Sequence, residues 1–268
     1  MINLERLFEF REIEDEPKSL IEHLEDLRTT LIKCAAALGL AMILCFTFRT
    51  QLAAIIQQPL AQVAPERAAN LQSLGVADSF TISLELALYG GFVLAFPAII
   101  YFLAQFILPA LKPEEKRILL PAGIFGFILF LSGVAFCYQI VLPQALAFFF
   151  MDAQAMNWQP TWTVREYYSF TTQFVIAFGL SFQLPLAVLI LVKTGILSVE
   201  TLTKTRAFAI IIIFLAAAII TPTSDILTLL LMGLPMYVLF EFCILIAWIS
   251  KTKKQNKKIH AHHPVTRA

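Results

Sequence analysis

Charge is scarce in this chain: Asp, Glu, Lys and Arg make up 15% of 268 residues, against about 25% in a typical soluble domain. Histidine is scarcer still. His23, His260, His262 and His263 are the full set, and none lies in an apolar run. The patterns HExxH, GxGD and GxSG are absent, as is any phosphate-binding loop. An intramembrane metalloprotease, aspartyl protease or Ser/His protease needs one of the first three, and an NTPase needs the fourth. No catalytic residues and no cofactor are therefore expected. Cys34, Cys45, Cys137 and Cys243 all fall in apolar runs without metal-ligand spacing, which excludes a disulfide framework and a metal site and leaves small core- or lipid-facing residues.

What remains is apolar. Hydrophobic residues reach 59%, and the mean hydropathy is +0.76. Runs at about 31–49, 80–106, 118–142, 168–192, 207–221 and 226–249 predict six spans, since a helix needs ~20 apolar residues to cross ~30 Å of hydrocarbon. The fifth is short, about 21 Å at 1.5 Å per residue, and implies local bilayer thinning or shielded ends. Only Pro222–Asp225 separates it from the sixth, so the two form a hairpin.

Basic residues cluster on one side: Lys18, Arg28 and Lys33, then Lys112, Lys116 and Arg117, then Lys193, Lys204 and Arg206, then the lysines from Lys251 onward. The other side has Arg49, Arg67 and Arg165. The rule that cytoplasmic loops carry the positive charge puts both termini in the cytoplasm. The predicted fold class is thus an all-α polytopic membrane protein of six spans. Pro97, Pro185 and Pro235 bend it into a concave body.

Three segments follow: a leader at 1–18, a membrane domain at 19–250 and a basic tail at 251–268, expected to be irregular and drawn to anionic lipid. The charged, amphipathic first 30 residues predict no cleavable signal. HAHH (260–263) is read as tail. Ser19 with Glu22 predicts a capping box, and Leu20, Leu24, Leu27 and Leu31 share a helix face. Residues 50–79 and 143–167 are expected as outer loops folded over the bundle, the first limited in helix by Pro59 and Pro65. The second carries Trp158, Trp162, Tyr167 and Tyr168 at headgroup level. Ala87, Gly91 and Ala95, four apart, predict close helix contact in span two.

The remaining polar residues are few. Glu114 and Glu115 follow Pro113 in the first turn of span three, and Asp26 and Arg28 stand before span one. Gln183 and Glu241 lie within spans, Asp225 at an outer turn, and Glu85 toward the outer end of span two. An intramembrane acid is by default a functional candidate.

HLEDLR (23–28), FILPALKPEEKR (106–117), FGLSFQLP (178–185) and TPTSD with LPMYVLFE (221–225, 234–241), in this order on a six-span frame, resemble the TatC family, the membrane receptor of the twin-arginine protein translocase. The resemblance covers roughly residues 19–250. It implies a site for twin-arginine signal peptides of folded proteins formed by Glu115 and Asp26, with Phe106 beside them. Arg28, Lys116 and Arg117 would orient those acids. It also implies single-span partners of the TatA and TatB kind, drive by the proton-motive force, a homo-oligomeric receptor complex, and a bacterial inner or thylakoid membrane; nucleic acid has no part. Many members carry glutamate where this chain has Asp26, and often glutamate where it has Gln183, an amide that cannot carry a proton. Gln183, Glu241 and Asp225 are the candidate partner-docking polar residues. Guanidinium suits such a site, because it pairs with carboxylate through a planar two-point fork that lysine lacks. The alternatives are a small-solute secondary transporter using Glu85, Gln183 or Glu241, and a purely structural membrane scaffold whose rim acids are dispensable.

Overall fold

The computed structural model describes residues 20–107, 113–193, 197–221 and 225–262. Among these the chain is helical, and β-type pairing is confined to one isolated bridge between Gln72 and Thr163. Ile21–Thr47, Asp78–Ile107, Pro121–Ala155, Val164–Val192 and Ile226–Trp248 are long and apolar enough to cross a bilayer. Arg206–Ile220 is the expected short span, 15 residues long, or about 22 Å. The leader and Ser19 lie outside the described residues.

The most extensive pairing joins Leu20–Thr47 to Asp78–Ile107. Its contact face is not the leucine face. Leu24 and Leu31 are 63% and 56% exposed, whereas Thr30, Ala41 and Cys45 are buried. Lipid is as apolar as leucine, so spans associate through small residues that let backbones approach. Gly91 shows how closely: a Cβ there would lie 2.8 Å from the Met42 amide nitrogen. Ala87 and Ala95 are buried in the same row. Spans two, three and four share an aromatic core, in which Phe96 stacks on Phe130 at 3.7 Å and Phe130, Phe174 and Phe178 are fully buried.

Both expected outer loops are largely helix. Arg49–Val63 contains Pro59, and Pro65 opens the short helix Pro65–Ala69. Proline deprives the carbonyl four residues earlier of its donor, yet Arg49–Val63 survives because tyrosines supply donors from outside. The Tyr138 hydroxyl donates to the Ile55 carbonyl at 2.6 Å, Tyr167 to Ile56 at 2.7 Å and Tyr168 to Ala53 at 3.2 Å. Tyr167 and Tyr168 are therefore buried ties between span four and the outer helix, where the sequence predicts headgroup-level aromatics. Trp158 remains exposed. The loops do cap the bundle and each other: the Val164 amide donates to the Gln72 carbonyl at 2.9 Å.

The third span continues well past its expected end. Pro113–Phe136 passes through a wide π turn, Cys137–Val141, into Leu142–Ala155. Pro143 cannot donate to the carbonyl at position 139, and the widened turn absorbs the mismatch, with the Leu142 amide bonding to the Cys137 carbonyl. Span four opens on a capping box between Thr163 and Glu166 and breaks after Ser181, restarting at Leu184–Lys193 with Pro185 in its first turn. The last helix, Ile226–His262, runs on through the segment expected to be an irregular tail. Lysine and glutamine are strong helix formers, and no Gly or Pro intervenes between Lys251 and Pro264. The four cysteines are free, three of them buried.

Candidate functional site

Two helix ends build the cytoplasmic rim. HLEDLR forms the second turn of Leu20–Thr47, and Phe106 is the next-to-last residue of Asp78–Ile107. The His23 ring stacks on the Phe106 ring, centroids 4.8 Å apart and planes at 22°. Asp26 stands three residues after His23, on the same helix face, and is half-buried, while Arg28 is exposed. Glu115, Lys116 and Arg117 lie in the first turns of Pro113–Phe136; their side chains lie outside the described part. Six residue steps separate Ile107 from Pro113, so that helix begins within about 20 Å of the Phe106 turn. The ring stack and this short connection together keep these residues at one end of the bundle.

His23 was not legible as a member of this group. Its signal was the i, i+3 spacing to Asp26, which shows shared facing but not the partner ring.

The intramembrane polar residues are each engaged. The Gln183 side-chain amide donates to the Gly126 carbonyl of span three at 3.0 Å. Glu241 pairs with Arg206 at 3.1 Å and accepts the Tyr237 hydroxyl at 2.9 Å. Asp225 caps the last helix, accepting the Thr228 amide at 2.8 Å and the Thr228 hydroxyl at 2.6 Å. Glu85, expected at the headgroups, instead accepts the Ser169 hydroxyl of span four at 2.6 Å. The sequence gives Arg206 only as a rim cation; its ion pair with Glu241 joins the short fifth span to the sixth. Among the described residues no cluster of His, Cys, Asp and Glu is placed to hold a metal.

Comparison with known proteins sets this arrangement in a family. Residues 22–235 match the family model described as Sec-independent protein translocase protein (TatC). The TatC of Akkermansia muciniphila is 43% identical over 66% of this chain, and the match spans 51% of that longer protein. The TatC of Carboxydothermus hydrogenoformans is 34% identical over 90% of this chain and 98% of its own length. A crystal structure of the twin-arginine translocase receptor TatC superposes with a TM-score of 0.76 at 33% identity, covering 85% of this chain and 99% of that one. On these matches, and on a helical membrane fold that superposes on a TatC structure, the chain belongs to the TatC family of Sec-independent protein translocase proteins.

Proposed function

We propose that this chain is the membrane receptor and core scaffold of a twin-arginine translocase, binding the paired arginines of signal peptides at its cytoplasmic rim. The observation that carries the reading is the apposition of the Asp26 turn with Phe106, closed by the His23 ring, within a short chain's reach of Glu115. Two carboxylates would each take one guanidinium fork, and Phe106 would take the apolar segment that follows. A charge-assisted bond contributes ~1.5–3 kcal/mol net, so two of them with apolar burial reach micromolar affinity. Arg28, Lys116 and Arg117, carried on the same helix ends, would orient the acids and the lipid headgroups.

The scaffold half of the proposal rests on the fifth and sixth spans. Arg206–Ile220 is about 8 Å shorter than a standard hydrocarbon core, which thins the bilayer locally and lowers the cost of seating polar groups there. Single-span TatA- and TatB-like subunits would dock along this hairpin and near Gln183, and copies of the chain would assemble in the receptor complex. Transport would be driven by the proton-motive force, in a bacterial inner membrane or a thylakoid. The family is one of translocase components, not enzymes.

The test is binding of a twin-arginine signal peptide to the detergent-purified chain, beside a twin-lysine peptide and a Glu115→Gln variant. Tight binding lost with either change supports the proposal. Equal, weak binding in all three would reduce the site to general electrostatics and sink it.

A further inference from the structure

Beyond the receptor reading, one cavity on the cytoplasmic half of the molecule has a chemistry of its own. It measures about 630 Å³ and is lined by Thr203, Arg206, Val238, Glu241, Phe242 and Trp248, among others. That volume lies within the range of small-ligand pockets. Its two charged groups are the Arg206–Glu241 pair, with side chains 48% and 31% exposed. Apart from Thr203, whose hydroxyl donates to the Glu200 carbonyl at 2.9 Å, its other walls are apolar, and Val238, Phe242 and Trp248 are exposed on the outside of the bundle.

The short fifth span explains why an ion pair stands here. Glu241 lies seven residues before Trp248, the end of the last apolar stretch, hence about 10 Å along the helix from it. Arg206 is the first residue of a helix too short to reach the usual boundary. The polar surface therefore dips into a notch at Arg206, and Glu241 sits at its floor. A notch open to the bilayer and walled by Val238, Phe242 and Trp248 fills with lipid.

We propose that this notch binds the headgroup of a phospholipid bearing a primary amine, of the phosphoethanolamine type, with the phosphate on Arg206, the ammonium on Glu241, and an acyl chain along Val238 and Phe242. The charge pattern selects this class. Arginine keeps donors for a phosphate beyond the one given to Glu241, since a guanidinium carries five N–H groups. A purely anionic headgroup would bring its negative charge against Glu241, and a quaternary amine would bring no N–H to it. The zwitterion matches both partners in one ligand. The position beside Trp248 favours a lipid over a protein helix, because indole rings mark the headgroup level.

The experiment is native mass spectrometry of the full chain in detergent with equimolar phosphatidylethanolamine and phosphatidylglycerol, and separately with phosphatidylcholine. One charge-assisted bond gained by the amine predicts about tenfold preferential retention of phosphatidylethanolamine over either competitor. Glu241→Gln removes the ammonium acceptor and should abolish that preference. Val238→Trp fills the notch while leaving the ion pair intact, and should remove the retained lipid altogether. Thermal unfolding of both variants verifies that they fold. Equal retention of the three lipids by the wild type, or unchanged preference in both folded variants, would overturn the proposal. So would a notch that stays free of lipid and is filled only by a co-purifying single-span subunit.

Discussion

The outer helix Arg49–Val63 should depend on a hydroxyl from another span, and a double-mutant cycle can isolate that dependence. Pro59 withholds the amide that would otherwise serve the Ile55 carbonyl, and the Tyr138 hydroxyl occupies that carbonyl at 2.6 Å. Tyr138→Phe removes that donor and should cost ~0.5–1.5 kcal/mol, the net worth of a hydrogen bond at an exposed site. In a Pro59→Ala background the amide of residue 59 returns to Ile55, so the same Tyr138→Phe change should cost only a few tenths of a kcal/mol. The coupling is then about 1 kcal/mol, roughly 2–4 °C in melting temperature for a chain of this size. Tyr138 also lies 3.2 Å from the Gln58 side-chain oxygen, but that contact is lost in both backgrounds and cancels in the cycle. Thermal unfolding of the four proteins in one detergent is the assay. Additivity within ~0.3 kcal/mol would refute the substitution of hydroxyl for amide.

Three further outcomes follow from single contacts. Gly91→Ala sets a Cβ against the Met42 backbone at 2.8 Å; the first two spans must separate, at ~1–3 kcal/mol, read as a lower melting temperature that a neutral Gly39→Ala control (Gly39 has open space around it) does not show. Gln183→Leu removes the bond to the Gly126 carbonyl, which keeps its own helical donor, and should destabilise by ~0.5–1.5 kcal/mol, whereas Gln183→Asn, one methylene shorter, should retain only part of the bond in the same unfolding assay. Asp225→Ala removes the cap on Thr228 and should cost about 1 kcal/mol, visible as faster hydrogen exchange at the first turn of the last helix, with Asp225→Asn largely preserving it.

The spans were legible because hydropathy in a bilayer is nearly a structural rule: backbone groups must be satisfied inside each segment, and only a helix does this. The short fifth span and its hairpin with the sixth follow from counting residues. The leucine face of the first helix is not its packing side, for a reason particular to membranes. In water a leucine stripe marks the buried side, but in lipid it can equally mark the outside, and the packing side is written in Thr30, Ala41 and Cys45. The start of span four is written in the sequence as the capping-box pattern Thr163-Val-Arg-Glu166, whereas the apolar run itself begins only at about residue 168.

Pro59 and Pro143 account for the two largest departures, and both have the same cause. Proline reads as a helix limit when the only donors considered are those of its own segment, which is the ground for expecting a loop at 50–79 with Pro59 and Pro65. In the folded chain the orphaned carbonyl at Ile55 is served by Tyr138, and the mismatch at Pro143 is absorbed by a π turn that also places Tyr138. One distortion therefore supplies the donor that the other requires. The candidate site divides along the same line. Phe106 and the helix turn that carries Glu115 are held at one end of the bundle by the short connection between them, which sequence order shows, whereas the Asp26 turn reaches Phe106 only through the packing of the first two spans. Arg206 with Glu241, and Glu85 with Ser169, meet across 35 and 84 residues of sequence, through helix packing that no local pattern records. The acids of these pairs stand out in the sequence, but their partners Arg206 and Ser169 have to be sought in the packed bundle.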